Sequence, residues 1–322
     1  MKKIILITGG CGFIGSNLSE YLHKKNYKII VIDDLSIGNI KNLFSLKKIQ
    51  FIKKDVLNID KIKILPKKID AVIHLAAKAE ILISNNKEGQ YFRDNVITLK
   101  KVLNFCAKRK IKKLIFTSSA SVYGDTKNKK ISESFPLKPN HYYAFTKYIG
   151  EKIIQSYCKI NKVDYTILRL FNVYGVKSNA VVGKFIAQKI QKKKLTIYGN
   201  GKQERDFIHV SDVNKVITQC LKNKKSNNKI YNVGSGNSIS IIALKNLITK
   251  NKHIHLRKRN DDIEISIANN KKIKKDLNLK FKTDIFRGIK KMEKIDFHRL
   301  KKIKLSSILL QKKIISMFNK KS

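Results

Sequence analysis

The 322-residue sequence predicts an α/β protein, a doubly wound parallel sheet joined to a second, smaller α/β substrate lobe. Three observations lead there. Short Ile/Val/Leu-rich runs alternate with longer stretches of helical spacing over residues 3–170. Those runs are apolar throughout rather than at every second residue, as strands buried on both faces must be. A glycine-spaced loop closes the first of them.

The strand runs, in order, are "KIILIT", "KIIVID", "IQFIKK", "DAVIHLAA", "KLIFTSS" and "DYTILRL". Between them lie crossovers such as "DNVITLKKVLNFCAKRK", where Val96, Leu99, Val102 and Leu103 recur at helical intervals. After Gly175 the elements shorten, as in "LTIYGNGKQERDFIHVSDV" and "KIYNVGSG", and suggest a smaller lobe partly interleaved with the sheet. The expected division is 1–175 for the sheet domain, 176–290 for the lobe and 291–322 for a basic tail. In that tail Leu305, Ile308, Leu310, Ile314 and Phe318 allow an amphipathic helix.

Gly9, Gly12 and Gly15 follow the first strand and open a helix. Glycine permits the tight turn and lets backbone amides approach a pyrophosphate, while the helix N-terminus favours the anion. The second strand ends at Asp33, where an acid meets the ribose hydroxyls of an adenine dinucleotide and repels a 2′-phosphate, so NAD is expected over NADP. Strand, loop, helix and acid in this order describe a Rossmann unit. Asp55 and Asn95 are softer candidates at later strand ends.

Composition excludes more than it assigns. The formal charge of +47 would suit nucleic acid, an anionic membrane or phosphorylated small molecules. Lysine is spread along the whole chain, however, which reads as a lysine-coated surface rather than a dedicated nucleic-acid footprint. Cys11, Cys106, Cys158 and Cys220 are far apart, without zinc-type spacing, so reduced thiols, no metal and a cytoplasmic protein are expected. "MKKIILITGG" is too short in apolar residues for a signal segment, and no run reaches membrane-spanning length.

"TSSASVYG" places Ser118 and Ser119 at the end of the fifth strand, on the side where ligands of such sheets lie. Further on, "HYYAFTK" sets Tyr143 and Lys147 one helical turn apart, on one face, while Tyr142 has no such partner. An ammonium beside a phenol, with a positive nicotinamide ring close by, favours phenolate and suits Tyr143 to act as general base. His74 and His209 sit inside strand motifs and read as structural.

With these stretches in order, "GGCGFIGSNL", "HLAA", "SSASVYG", "ESFPLKP", "YAFTK", "RLFNVYG", "YGNGKQERDFIHVSDV" and "YNVGSG", the chain resembles the extended short-chain dehydrogenase/reductase family over about residues 1–290. Within it, the likeness is to NAD-dependent nucleotide-sugar epimerases and dehydratases. The resemblance implies Ser119, Tyr143 and Lys147 as the catalytic set. It implies that Gly9, Gly12, Phe13, Ile14, Gly15, Asp33, Asp55, Val56, Ala76, Ala77 and Asn95, with Tyr143 and Lys147, contact NAD. It implies sugar-nucleotide contacts at Ser84, Ser119, Asn172, Arg205, Arg259 and Ser266.

Relatives that dehydrate or decarboxylate the sugar place an acid just after the active-site hydroxyl, where this chain has Ala120-Ser121. The resemblance therefore implies C4 epimerisation of a UDP-hexose through a 4-keto sugar, with a dehydratase, decarboxylase or reductase as alternatives. Ser266, a small residue where similar epimerases limit the pocket, implies room for an N-acetyl group, hence UDP-GlcNAc/UDP-GalNAc ahead of UDP-Glc/UDP-Gal. A homodimer is expected. The non-enzymatic alternative is a basic cofactor-sensing or nucleic-acid-binding protein, and the tail could touch a membrane surface.

Overall fold

The computed structural model describes residues 2–44, 46, 48–126, 130–250, 252–258 and 263–294. A fully parallel seven-stranded sheet dominates it. Its order is Lys229–Val233, Asp164–Leu170, Lys113–Ser119, Ala71–His74, Ile4–Thr8, Lys28–Asp33 and Gln50–Lys53. The order reverses beside Ile4–Thr8, so the carboxyl ends of that strand and of Ala71–His74 open into a crevice.

Alternation explains why both faces of the sheet are covered. Ile5 and Ile7 join one buried cluster with Leu18 and Leu22 of helix Phe13–Lys24. Leu6, Ile30 and Ile32 point the other way, to Leu99, Val102 and Leu103 of helix Thr98–Lys108. Each such side chain contributes about 1.5–3 kcal/mol when fully buried, which holds the crossovers to the sheet. Every cysteine is buried and free.

The boundary expected near residue 175 is crossed from both sides. Strand Lys229–Val233, far along the chain, completes the large sheet. Conversely, Lys130–Ile131 and Asn172–Tyr174 belong to the smaller lobe, where they join Glu204–His209, Ser238–Ser240 and Ile265–Ala268. A two-stranded sheet, Leu195–Tyr198 with His253–Leu256, finishes that lobe. Of the tail, residues 291–294 continue a helix begun at 285, and the rest of the expected amphipathic segment, with Leu305 and Phe318, lies outside the described residues. Among the described residues no helix is long and apolar enough to cross a membrane.

His74 and His209 are buried at strand ends. His74 Nδ1 lies 2.7 Å from Thr8 Oγ1 and its ring stacks on Phe116. His209 Nδ1 accepts from the Ser211 amide at the start of helix Val210–Lys222. Burial, with Lys147 adding to it, pulls His74 down to about 3; burial and Lys291 pull His209 to about 4. Both rings stay neutral in the fold, whereas the unfolded chain takes up protons near 6.5. Stability should therefore be full above that pH and fall as pH drops from about 6.5 toward 4, by up to about 1.4 kcal/mol per unit for each ring. Urea unfolding at about pH 7 and pH 5 measures this, and a flat profile across the window would contradict it.

Candidate active site

The glycine loop forms the floor of the crevice. Gly9 adopts φ +71°, and a Cβ there would meet the Ala76 backbone at 2.7 Å. A Cβ on Gly15 would sit 2.3 Å from the Gly9 carbonyl, so neither position admits a side chain without moving backbone. Helix Phe13–Lys24 begins here with no side-chain cap on its free amides. Above the loop lies a cavity of about 300 Å³ lined by Phe13, Ile14, Asp33, Asp55, Val56, Ala76, Ala77 and Thr117 together with the three glycines.

Asp33 ties this floor together. Its Oδ2 accepts from the Cys11 amide at 2.9 Å and its Oδ1 from the Leu35 amide at 2.9 Å. Burial raises its pKa while those amides draw it back. Asp55 caps the following 3-10 turn through the Leu57 amide and pairs with Arg93 at 3.0 Å. A bare glycine cradle, an uncapped helix start and a carboxylate at the second strand end fit a dinucleotide, pyrophosphate on the amides and ribose at Asp33.

Asn95 sits in one π-helical turn, Arg93–Ile97, a wide turn of the kind found at functional sites. It accepts from the Lys78 amide and donates to the Lys78 carbonyl and Thr146 Oγ1. The segment after Ala77 is thereby fastened to helix Tyr142–Ile160, which carries Tyr143 and Lys147.

Lys147 Nζ donates to the Thr117 carbonyl at 2.8 Å and lies 4.7 Å from the Phe116 ring centre and 6.0 Å from that of Tyr143. Burial draws its pKa down to about 8, against the Glu151 carboxylate, which raises it. Burial likewise pushes the Tyr143 phenol up to about 12, against the pull of its hydrogen bond with Ser119. The sequence suggested a depressed phenol; in the protein alone desolvation outweighs its neighbours.

The two adjacent serines part company. Ser119 meets the phenol and accepts from Ser121 Oγ at 2.9 Å, whereas Ser118 Oγ donates to Glu151 Oε1 at 2.5 Å and is buried. Glu151 in turn receives Arg169 through Nη2 at 2.7 Å and through Nε. Arg169 Nη1 reaches Tyr123, whose hydroxyl donates to Asn232. The sequence reading missed Glu151, Arg169 and Thr117. Glu151 alone carried a signal, one more helical turn beyond Lys147 on the same face.

The expected sugar-side residues gather only in part. Asn172 and Arg205 line one cavity of about 270 Å³ in the smaller lobe. Strand register sets Ser266 beside Arg205. Ser84 is buried, with its hydroxyl donating to the Ile81 carbonyl at 2.8 Å. Arg259 lies outside the described residues.

Comparison with known proteins agrees with this geometry. The model of the NAD dependent epimerase/dehydratase family matches residues 5–234. An uncharacterised UDP-glucose epimerase of Bacillus subtilis is 36% identical over 256 residues, covering 76% of this chain and 80% of its own length. A dTDP-D-glucose 4,6-dehydratase of Dictyostelium discoideum is 35% identical over 257 residues, 73% of this chain and 59% of its own. Among solved structures, the UDP-N-acetylglucosamine 4-epimerase of Methanobrevibacter ruminantium, bound to UDP-N-acetylmuramic acid, superposes with a TM-score of 0.87 at 32% identity, covering 93% of this chain and 100% of that one.

The contrast between the serines is measurable. Ser118→Ala removes a bond to a buried carboxylate and should cost about 1.5–3 kcal/mol in urea unfolding while NAD binding persists. Ser119→Ala should change stability by less than about 0.5 kcal/mol and abolish turnover. Equal destabilisation by both would count against the division.

Proposed function

Since the chain belongs to the NAD dependent epimerase/dehydratase family, we propose that it interconverts UDP-hexoses differing at C4, with NAD retained through the cycle. The observation that carries this reading is the meeting of the Ser119 and Tyr143 hydroxyls at the end of the strand whose Thr117 lines the glycine cavity, with the Lys147 ammonium held on the Thr117 carbonyl near the phenol ring. NAD, when bound there, supplies a reversible hydride acceptor.

Ser119 orients the sugar O4 hydroxyl and Tyr143, as phenolate, takes its proton while C4 loses hydride and becomes a carbonyl. Lys147 holds positive charge against the phenolate. The 4-keto sugar then turns, receives hydride on its other face, and Tyr143 returns the proton to O4. Asn172 and Arg205 anchor the nucleotide diphosphate, the guanidinium gripping phosphate oxygens, so the sugar turns without leaving. Ala120-Ser121 supports epimerisation over dehydration: Ser121 is engaged with Ser119, and neither residue offers the extra proton that loss of water requires.

Ser266, small and beside Arg205, supports admission of an N-acetyl group at C2. Free, buried cysteines support a reducing, cytoplasmic setting. Phe92, Ile97 and Phe145, exposed on adjoining helical segments, support pairing into a homodimer.

Incubating the purified protein with UDP-Glc, UDP-Gal, UDP-GlcNAc and UDP-GalNAc, and resolving the epimers, tests the reading. We expect epimer pairs without net consumption of NAD, and a Tyr143→Phe variant that binds NAD but turns over at least about 10²-fold more slowly. Ser266→Tyr should lose the N-acetylated pair first. Accumulation of a 4-keto-6-deoxy sugar instead would make it a dehydratase.

A further inference from the structure

We propose that His253 and His255 form a two-histidine site for a divalent transition-metal ion, copper, nickel or zinc, at the rim of the smaller lobe. The site is independent of the reaction proposed above. The residues belong to strand His253–Leu256, where alternate side chains project to one side. Register sets His253 beside Leu195 and His255 beside Ile197, both buried, so the two rings rise together at the margin of the apolar cluster.

The nitrogens converge. His253 Nε2 and His255 Nε2 are 3.1 Å apart, with ring centres 4.8 Å apart and planes 79° to one another. Two imidazole nitrogens bound to one ion at about 2.0–2.1 Å stand about 2.9–3.3 Å apart for bond angles between square and tetrahedral. The observed spacing falls within that range.

The tautomer is also set. His255 Nδ1 lies 2.7 Å from the Gly199 carbonyl, which can only accept, so the proton is on Nδ1 and Nε2 presents its lone pair. A ring that gives its second N–H to a backbone carbonyl is the usual arrangement behind a metal-bound histidine. Without metal, His253 Nε2–H donates to that lone pair. Shifting this proton to His253 Nδ1 frees a second lone pair with no change in charge.

Among the described residues no third histidine, cysteine or acid joins them. Two imidazoles without carboxylates select borderline ions over calcium or magnesium, with copper(II) the tightest. The expectation of no metal rested on cysteine and histidine spacing, and His-x-His gains meaning only once the segment is known to be a strand.

Calorimetric titration of untagged protein with Cu²⁺, Ni²⁺, Zn²⁺ and Mg²⁺ tests the site. We expect one site in the order Cu²⁺ above Ni²⁺ and Zn²⁺, none for Mg²⁺, and a metal-dependent rise in Tm. His253→Ala and His255→Ala, both at a solvent-exposed margin, should each weaken binding more than about tenfold and abolish the Tm rise, while His23→Ala changes neither. Absence of uptake by the unaltered protein, or an affinity in either variant unchanged from that of the unaltered protein, would overturn the proposal.

Discussion

A lysine ammonium pulled out of water and held against the Thr117 carbonyl is the interaction on which the candidate site turns. It joins helix Tyr142–Ile160 to the end of strand Lys113–Ser119, so the phenol and the Ser119 hydroxyl are delivered to the same point from different elements. An isolated buried cation is unstable, and its pKa falls accordingly. Glu151, one turn further on, offsets this, and because Glu151 is itself fully buried it must be held by Arg169 and Ser118. Breaking such a buried pair by removing one partner costs about 3–5 kcal/mol, so the network beneath the site is also what keeps helix and strand in register.

The same desolvation acts on the phenol in the opposite sense. Burial favours a neutral tyrosine and a neutral lysine, while proton abstraction needs phenolate and ammonium. The protein alone supplies a hydrogen bond from Ser119, which does not overcome burial. A positively charged ring held in the adjoining glycine-floored cavity would favour the phenolate, since charge acts strongly in a medium of low dielectric. Cofactor occupancy would thereby favour the phenolate as well as supply the hydride acceptor.

What was legible in the sequence was local. Apolar runs marked six of the seven large-sheet strands, glycine spacing marked the loop, and Tyr143 and Lys147 were found because one helical turn separates them. The unread parts depend on pairing across long stretches of chain. The resemblance picked Ser119 over Ser118, but the role of Ser118 itself rests on its bond to Glu151, thirty-three residues on, which no local pattern shows. Arg169 lies in a strand that reads as plain core until its guanidinium is seen against that carboxylate. The two-residue strand Lys130–Ile131 has no periodicity to detect, yet with Asn172–Tyr174 it interleaves the lobes and carries Asn172 to Arg205. The charge of +47 remained ambiguous in the sequence because solvated lysines and a binding surface have the same composition.

The most direct measurement is a titration of phenolate absorbance in the apo protein, the NAD-loaded protein and the Tyr143→Phe variant. The account predicts that Tyr143 resists ionisation to about pH 12 without cofactor, and that with NAD bound one phenolate appears several units lower and is missing from the variant. The same high titration in both states would contradict the claim that charge at the cofactor site makes this phenol a base.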